Sequence, residues 1–318
     1  MIKRKLGNTG LSVSEIAFGG VEIGLPYGFG VESHADMLSK SSAIKLLHQA
    51  LDQGINFFDT ARMYGESESI MGEAFKNKRH EVILASKCTH FRDSKGRLPA
   101  NSELGLFIEN SINESLKALQ TDYLDIFMLH QADLEILENP VIAEVFASLK
   151  KSGKIRFTGA STYSCQETNF AIASGNWDVI QLPFNLMDQQ HAPCFEEARK
   201  KGIGIVVRSV LMRGFLSDRG ASLHPALSQV EKHIKSYDML LNASFPDLPT
   251  LATKFALSFD NVSAVLVGID KVSYLEKALA TANGQYMDLN FLNLAQSKAY
   301  PEPEFLNLPY WDRMGWLK

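Results

Sequence analysis

Eight short apolar runs alternate with longer amphipathic segments along this chain, and that alternation limits the folds open to it. The runs have the length and the apolar character of buried strands. They cover residues 16–18, 55–58, 82–85, 124–129, 155–159, 179–182, 203–207 and 263–267. Strands that alternate with helices predict a parallel sheet covered by helices.

The segments between these runs carry apolar residues at helical spacing. We expect helices over residues 42–53, 69–76, 102–119, 142–151, 166–173 and 195–201. Gly54, Gly153 and Gly202 lie where left-handed caps would end three of these helices. Eight repeats in 318 residues favour a closed (β/α)8 barrel, an α/β TIM barrel that residues 1–318 form as a single domain. A GNTG turn within residues 2–13 predicts a hairpin that closes the bottom of the barrel.

Three segments exceed what a minimal barrel needs, namely residues 20–40, 91–101 and 283–318. We expect these extended loops and the C-terminal tail at the catalytic face, because long insertions there usually form the substrate site. The tail carries many aromatic side chains, which either cover a substrate or anchor the terminus. His90, Phe91 and Trp311 are the predicted residues of the substrate pocket.

The composition excludes several kinds of partner. The chain is 45% hydrophobic and 21% charged, with a formal net charge of -4 and no basic cluster, so no nucleic-acid partner is predicted. No apolar run has the length of a signal peptide or a membrane span, which predicts a cytoplasmic protein without a membrane partner. Cys88, Cys165 and Cys194 do not have the spacing of metal ligands, so we expect reduced thiols and no metal.

A barrel places its active site at the carboxyl ends of the strands. In this sequence, polar residues lie at the ends of six of the apolar runs. They are Asp59, Lys87, His130, Ser161, Gln181 and the pair Arg208 and Ser209. Together they would surround one mouth of the barrel.

Four of the candidate side chains suit the reduction of a carbonyl group. A phenol such as Tyr64 is a weak acid, with an ordinary pKa of about 10, and a nearby ammonium such as Lys87 would ease its loss of a proton. Asp59 would keep a buried Lys87 charged. His130 could orient and polarise the carbonyl oxygen, or share the proton with Tyr64.

These residues lie in motifs that resemble the aldo-keto reductase superfamily. The motifs are KLGNTGLSVSEIAFGG, GINFFDTARMYGESE, VILASK, LDIFMLH and GKIRFTGAST, in the same order as in that family. The resemblance implies a (β/α)8 barrel that binds a nicotinamide dinucleotide and reduces aldehydes or ketones to alcohols. It also implies that Asp59, Tyr64, Lys87 and His130 form the catalytic tetrad.

The resemblance further implies a set of cofactor-binding residues. They are Ser161, Thr162, Gln181, Arg208, Ser209, Leu211, Gly214, Gly268 and Lys271. The sequence departs from the family pattern in having Thr162 in place of asparagine, Arg208 in place of an aromatic residue, and Tyr274 near the position of an arginine. Lys271 is the remaining basic residue placed to bind a 2'-phosphate, whereas Asp270 beside it opposes one, so this segment does not decide the cofactor. NADPH is the predicted cofactor, with NADH also open.

Other functions and roles stay open at this point. Residues 20–40 resemble the branch of the family that contains sugar dehydrogenases, which oxidise an aldose at its anomeric carbon. A barrel lyase in which Lys87 forms a Schiff base, and a regulatory protein that senses dinucleotides, are alternatives of other classes. We expect Glu66 and Glu68 to be solvated or capping residues at the start of a helix. The sequence does not indicate an oligomeric state.

Overall fold

Eight parallel strands close into a barrel at the centre of the protein, behind a short antiparallel hairpin. The computed structural model describes residues 1–28, 31 and 33–317. The strands are β1 (Lys3–Lys5), β2 (Ser12–Ser14), β3 (Ile16–Gly19), β4 (Phe57–Asp59), β5 (Ile83–Lys87), β6 (Leu124–Leu129), β7 (Ile155–Ser161), β8 (Val179–Pro183), β9 (Gly204–Arg208) and β10 (Val262–Gly268). Strands β3 to β10 pair in chain order, and β10 closes the barrel on β3. The (β/α)8 prediction is confirmed.

Helices follow the strands and cover the outside of the barrel. They are α1 (Val21–Gly24), α2 (Lys40–Asp52), α3 (Ser67–Phe75), α4 (Asn101–Ala118), α5 (Leu134–Glu138), α6 (Pro140–Lys151), α7 (Cys165–Ser174), α8 (Cys194–Lys200), α9 (Ser228–Ser236), α10 (Leu248–Leu257), α11 (Val272–Thr281), α12 (Leu289–Gln296) and α13 (Leu308–Arg313). The six predicted helices correspond to α2, α3, α4, α6, α7 and α8, with ends that differ by at most two residues.

Local sequence explains where these elements begin and end. Gly54, Gly153 and Gly202 have φ angles of 96°, 80° and 70°, which are the left-handed caps expected after α2, α6 and α8. The strand predicted from residue 55 begins at Phe57 instead. Its start is delayed because the Ile55 N–H still donates to the carbonyl oxygen of Ala50, at the end of α2.

The N-terminal hairpin covers the amino-terminal end of the barrel, and the hairpin prediction is confirmed. Leu6 and Leu11 are buried in one apolar cluster with Phe57, Ile126 and other side chains of the barrel strands. The turn approaches β9 so closely that a Cβ on Gly7 would overlap the main chain of residues 202–204. The hairpin therefore packs as part of the core.

The C-terminal tail spans both ends of the barrel. Near its start, Tyr286 donates a hydrogen bond to Glu15, which lies just before β3 at the amino-terminal end. Further along, Asp312 lies 3.6 Å from Arg213, in the loop that follows β9 at the carboxyl-terminal end. The tail thus reaches the catalytic face but begins on the opposite side. Residues 29, 30 and 32 of the first long segment lie outside the described residues.

Candidate active site

Two strand ends and two loops bring the predicted catalytic side chains to one mouth of the barrel. Asp59 is the last residue of β4, and Lys87 is the last residue of β5. His130 directly follows β6, and Tyr64 lies in the loop between β4 and α3. Asp59, Tyr64 and His130 line a common cavity, and Lys87 lies behind them.

Lys87 and Asp59 form an ion pair in the protein interior. The Lys87 Nζ lies 2.5 Å from Asp59 Oδ2 and 3.1 Å from the carbonyl oxygen of Thr60, and the two charged side chains are 1% and 4% exposed. Gln181 Nε2 donates to the other Asp59 oxygen at 2.9 Å. Burial lowers the pKa of Lys87, and the Asp59 carboxylate opposes that shift. The pair is therefore held by several hydrogen bonds beneath the cavity.

Tyr64 is a neutral phenol at neutral pH. Its pKa is raised well above the ordinary value by burial and then by the nearby Asp59, whereas Arg208 acts in the opposite direction. The Lys87 Nζ lies 4.9 Å from the centre of the Tyr64 ring. Desolvation and Asp59 therefore set the direction of the net shift, and the expected contribution of Lys87 to the acidity of Tyr64 stays a prediction.

His130 is neutral as well. Burial, followed by the positive charge of Lys87, lowers the pKa of His130 well below its ordinary value. Its ring lies edge-on to Tyr64, with 5.4 Å between ring centres, and 4.6 Å from the ring of His90. Within the described residues, the buried Nδ1 of His130 has no hydrogen-bond partner. A neutral imidazole can donate one N–H to a carbonyl oxygen.

The cavity in front of these groups has a volume of about 980 Å³ and extends from the catalytic residues to α11. This volume is at the upper end of the range typical of small-molecule sites. Seven of the nine predicted cofactor-binding residues line it, namely Ser161, Gln181, Arg208, Ser209, Leu211, Gly214 and Gly268. In the loop after β9, Ser209 and Arg213 have positive φ angles of 59° and 57°. Such strained backbone is typical of ligand-binding loops.

Two predicted cofactor residues lie differently from the others. Thr162 is fully buried, and its hydroxyl group is 2.7 Å from that of Thr168, so it is engaged within the protein. Lys271 is exposed at the start of α11, with its Nζ 5.4 Å from the ring centre of Tyr274. It is not among the cavity-lining residues in the described part of the chain, although Tyr274 is.

Arg208 lies at the junction between the catalytic residues and the rest of the cavity. Its guanidinium group lies 4.4 Å from the ring centre of Tyr163 and donates to the carbonyl oxygen of Thr162 at 3.0 Å. These contacts fix a positive charge near Tyr64 and His130. The stacking partner of Arg208 was not predicted from sequence, since Tyr163 carries no motif of its own.

The predicted substrate residues separate into two groups. His90 contacts His130 and, together with Phe91, lines a shallower second cavity beside the main one. Trp311 is fully buried, and its ring centre lies 5.6 Å from that of Phe215. Because Trp311 lies in the core, it anchors the tail, which is one of the two roles that the sequence left open.

The two glutamates after Tyr64 also separate. Glu66 is exposed just before α3, whereas Glu68, in the first turn of α3, is only 1% exposed and pairs with Arg62. Ser86 donates to Glu68 at 2.6 Å. The expectation of a solvated residue is wrong for Glu68, because its carboxylate is turned inward to Arg62 and to Ser86 of β5.

Several cavity residues were not predicted from sequence. They are Glu22, Tyr27, Tyr163, Arg213, Arg219 and Lys277. Glu22 and Tyr27 lie in a segment treated as an insertion, and the others are polar residues without a motif. Among the described residues, no group of histidine, cysteine and acidic side chains could hold a metal ion, and no helix is long and apolar enough to cross a membrane.

Comparison with known proteins agrees with this geometry. The sequence profile of the aldo/keto reductase family matches residues 15–295, and the chain belongs to that family. It is an NAD(P)-dependent oxidoreductase, as that family's members are. It is 28% identical to an L-galactose dehydrogenase of Arabidopsis thaliana over 94% of each chain. It is 29% identical to an NADH-specific methylglyoxal reductase of Escherichia coli, over 89% of this chain and 94% of that one.

The fold is also similar to that of a solved relative. An aldo-keto reductase of Bacillus halodurans in its holo form superposes with a TM-score of 0.78 at 25% identity, over 94% of this chain and 96% of that chain.

Proposed function

We propose that this protein reduces an aldehyde or ketone to an alcohol, with NADPH as the preferred cofactor and NADH as the alternative. The observation that carries the proposal is the buried Lys87–Asp59 pair, which lies beneath Tyr64 and His130 at one end of the large cavity. This arrangement provides a phenolic proton donor, a neutral imidazole and a fixed cation around one small volume.

The chain's own residues fit a nicotinamide dinucleotide. The cavity is lined by three arginines that suit a pyrophosphate, Arg208 at the end of β9 and Arg213 and Arg219 in the segment that follows it. Ser161 and Gln181 lie at the catalytic end, where they would hold the nicotinamide carboxamide. The rest of the dinucleotide would contact Ser209, Leu211, Gly214 and Gly268. Thr162, buried next to Ser161, would help to hold Ser161 in position. Lys271 would bind a 2'-phosphate at the rim of the cavity.

The roles of the catalytic residues follow from their protonation states. The bound nicotinamide would supply a hydride to the carbonyl carbon. His130 donates an N–H to the carbonyl oxygen and orients it. Tyr64 keeps its proton at neutral pH and passes it to that oxygen, because an alkoxide is a stronger base than a phenolate. Lys87, held in its charged form by Asp59, stabilises the phenolate that is left.

A second candidate is the oxidation of a sugar by NAD(P)⁺. The likeness to the plant L-galactose dehydrogenase over 94% of both chains favours it, and the same four side chains would serve the reverse reaction. A Schiff base at Lys87 is disfavoured because its Nζ is buried and paired with Asp59. A purely regulatory role is disfavoured because all four side chains suited to catalysis meet at one cavity.

The proposal is tested by measuring the absorbance of NADPH and NADH with a panel of aldehydes and ketones, and of the oxidised cofactors with free sugars. Turnover of carbonyl compounds would support the reductase. Turnover of sugars alone would favour the second candidate. Binding without any turnover would favour the regulatory role, and a mass increase at Lys87 after borohydride treatment with substrate would favour the lyase.

A further inference from the structure

Glu22 is a cavity residue that the proposed chemistry does not use. It belongs to α1, the short helix directly after β3, and lines the cavity next to Gly268. The Glu22 carboxyl group lies against Gly268 so closely that a Cβ on Gly268 would overlap it. Its Oε2 atom is buried, and no hydrogen-bond partner for it occurs in the part of the chain that the structure describes.

Two acidic residues act on the charge of Glu22, namely Asp59 at the end of β4 and Asp270 in the loop after β10. The third packed element, α3, approaches α1 through Ser67 and Met71, whose side chains lie next to the glycines that flank Glu22. The charged residue of that turn, Glu68, is occupied by Arg62 and Ser86. Burial raises the pKa of Glu22 from 4.5 to about 8, against a hydrogen bond from its own backbone N–H that lowers it, and Asp270 and Asp59 add smaller upward contributions.

The position of Glu22 identifies the part of a ligand that would meet it. Asp59 lies at the catalytic end of the cavity. Asp270 lies at the other end, two residues before α11 begins. A dinucleotide that spans the cavity therefore passes Glu22 between its nicotinamide and its adenine. That stretch consists of ribose hydroxyls and phosphates. A neutral carboxylic acid can donate a hydrogen bond to such oxygens, whereas a carboxylate would repel the phosphates.

We propose that the Glu22 carboxyl group binds the ribose-phosphate stretch of the dinucleotide as a hydrogen-bond donor, and that the cofactor binds preferentially to the enzyme that carries this proton. The inference rests on the proposed function, because it requires a dinucleotide in the cavity. It adds a binding residue outside the catalytic tetrad, and it makes cofactor affinity dependent on pH.

The sign of the dependence follows from the linkage of proton and ligand binding. If the dinucleotide binds mainly the protonated form, its apparent Kd stays constant below the pKa of Glu22 and rises above it, at the limit by tenfold for each pH unit. Between pH 6.5 and pH 9.5 the Kd of NADPH and of NADH should therefore rise by about tenfold or more.

The test is a fluorescence titration of the full chain with NADPH and NADH from pH 6.5 to pH 9.5. It compares the natural protein, Glu22→Gln, Glu22→Ala and the control Glu276→Gln, which removes an exposed acid from α11. Glutamine keeps a donor at every pH, so Glu22→Gln should match the natural protein at pH 6.5 and change less than about twofold at pH 9.5. Glu22→Ala should bind more weakly at pH 6.5 and show the same flat profile. Glu276→Gln should follow the natural protein.

Two results would overturn the inference while leaving the proposed function intact. One is a natural protein whose Kd is constant over this pH range. The other is a Glu22→Gln variant whose Kd rises as steeply as that of the natural protein. Failure of the natural protein to bind either dinucleotide at pH 6.5 would instead overturn the proposed function.

Discussion

The two ends of the barrel carry similar sets of side chains with different surroundings. At the amino-terminal end, Arg4 pairs with Glu15 at 2.6 Å, and Tyr286 donates to the same carboxylate. At the carboxyl-terminal end, Lys87 pairs with Asp59 at 2.5 Å, and Tyr64 lies above them. Each set contains one cation, one carboxylate and one phenol.

The difference lies in how the polar atoms are satisfied. Arg4 also donates to the carbonyl oxygens of Leu257, Phe259 and Val262, at 2.7, 3.0 and 2.9 Å, so it ties the hairpin to β10 and the preceding turn. The phenol at this end, Tyr286, donates its hydrogen bond to Glu15. At the other end, the phenol of Tyr64 faces a large cavity, next to an imidazole whose Nδ1 is unpaired among the described residues. The same chemistry therefore supports the fold at one end and can serve a substrate at the other.

A large effect on turnover is expected in Lys87→Met. The substitution removes the charge that stabilises a developing phenolate, so kcat should fall on the order of a hundredfold to a thousandfold. Arg4→Met, the matched change at the other end, should leave kcat per folded molecule unchanged. Cofactor absorbance with an accepted carbonyl substrate measures both, and a Lys87→Met variant with more than half of the original kcat would contradict the assigned role.

The pair at the amino-terminal end should matter for stability. Arg4→Met leaves the Glu15 carboxylate buried without its cation, and such breaks lower the free energy of unfolding by roughly 3–5 kcal/mol. Urea unfolding at neutral pH measures the change. Lys5→Met, an exposed change in the same strand, is the control and should have little effect. Equal stabilities of Arg4→Met and Lys5→Met would show that the Arg4 network does not hold the hairpin.

His191, a buried histidine that does not line the cavity, should make the free energy of unfolding depend on pH in acid. Burial lowers the pKa of His191 from 6.5 to about 4, so the unfolded chain gains a proton in this range and the folded chain does not. The free energy of unfolding should therefore fall between pH 6.5 and pH 4, by roughly 3 kcal/mol from this group. His191→Asn should flatten that fall and keep turnover at pH 7. The control His80→Asn, at an exposed site, should leave the fall in stability unchanged. An unchanged acid profile in His191→Asn would exclude this contribution.

The smallest expected effect concerns the choice between cofactors. Lys271→Ala should raise the Kd of NADPH by a few fold and leave that of NADH nearly unchanged, because an exposed ion pair contributes about 0.2–1 kcal/mol. Lys277 lines the cavity but is paired with Asp247 at 2.8 Å, so Lys277→Ala should affect the two cofactors equally. Equal losses of both cofactors in Lys271→Ala would exclude Lys271 as the 2'-phosphate ligand.

The parts of the site that sequence could predict lie at strand ends. Asp59 and Lys87 end apolar runs, and in a parallel barrel all such ends meet at one mouth, so the fold alone brings them together. The residues that escaped prediction depend on packing between segments that are distant along the chain. Glu68 has the sequence context of a solvated helix start, but it is buried with Arg62 and Ser86 as partners. Glu22 lines the cavity because α1 places its carboxyl group against Gly268, which is distant from it along the chain.

Tyr64→Phe, compared with Tyr286→Phe, tests the central claim most directly. Both variants lose one phenol hydroxyl, and both can be assayed for NADPH binding by fluorescence and for carbonyl reduction by cofactor absorbance. Tyr64→Phe should keep the Kd of NADPH within about twofold and lower kcat by a hundredfold to ten-thousandfold, the usual contribution of a general acid. Tyr286→Phe should keep kcat and lose about 1–3 kcal/mol of stability, since Glu15 loses a buried donor. Unchanged kcat in Tyr64→Phe would contradict the account.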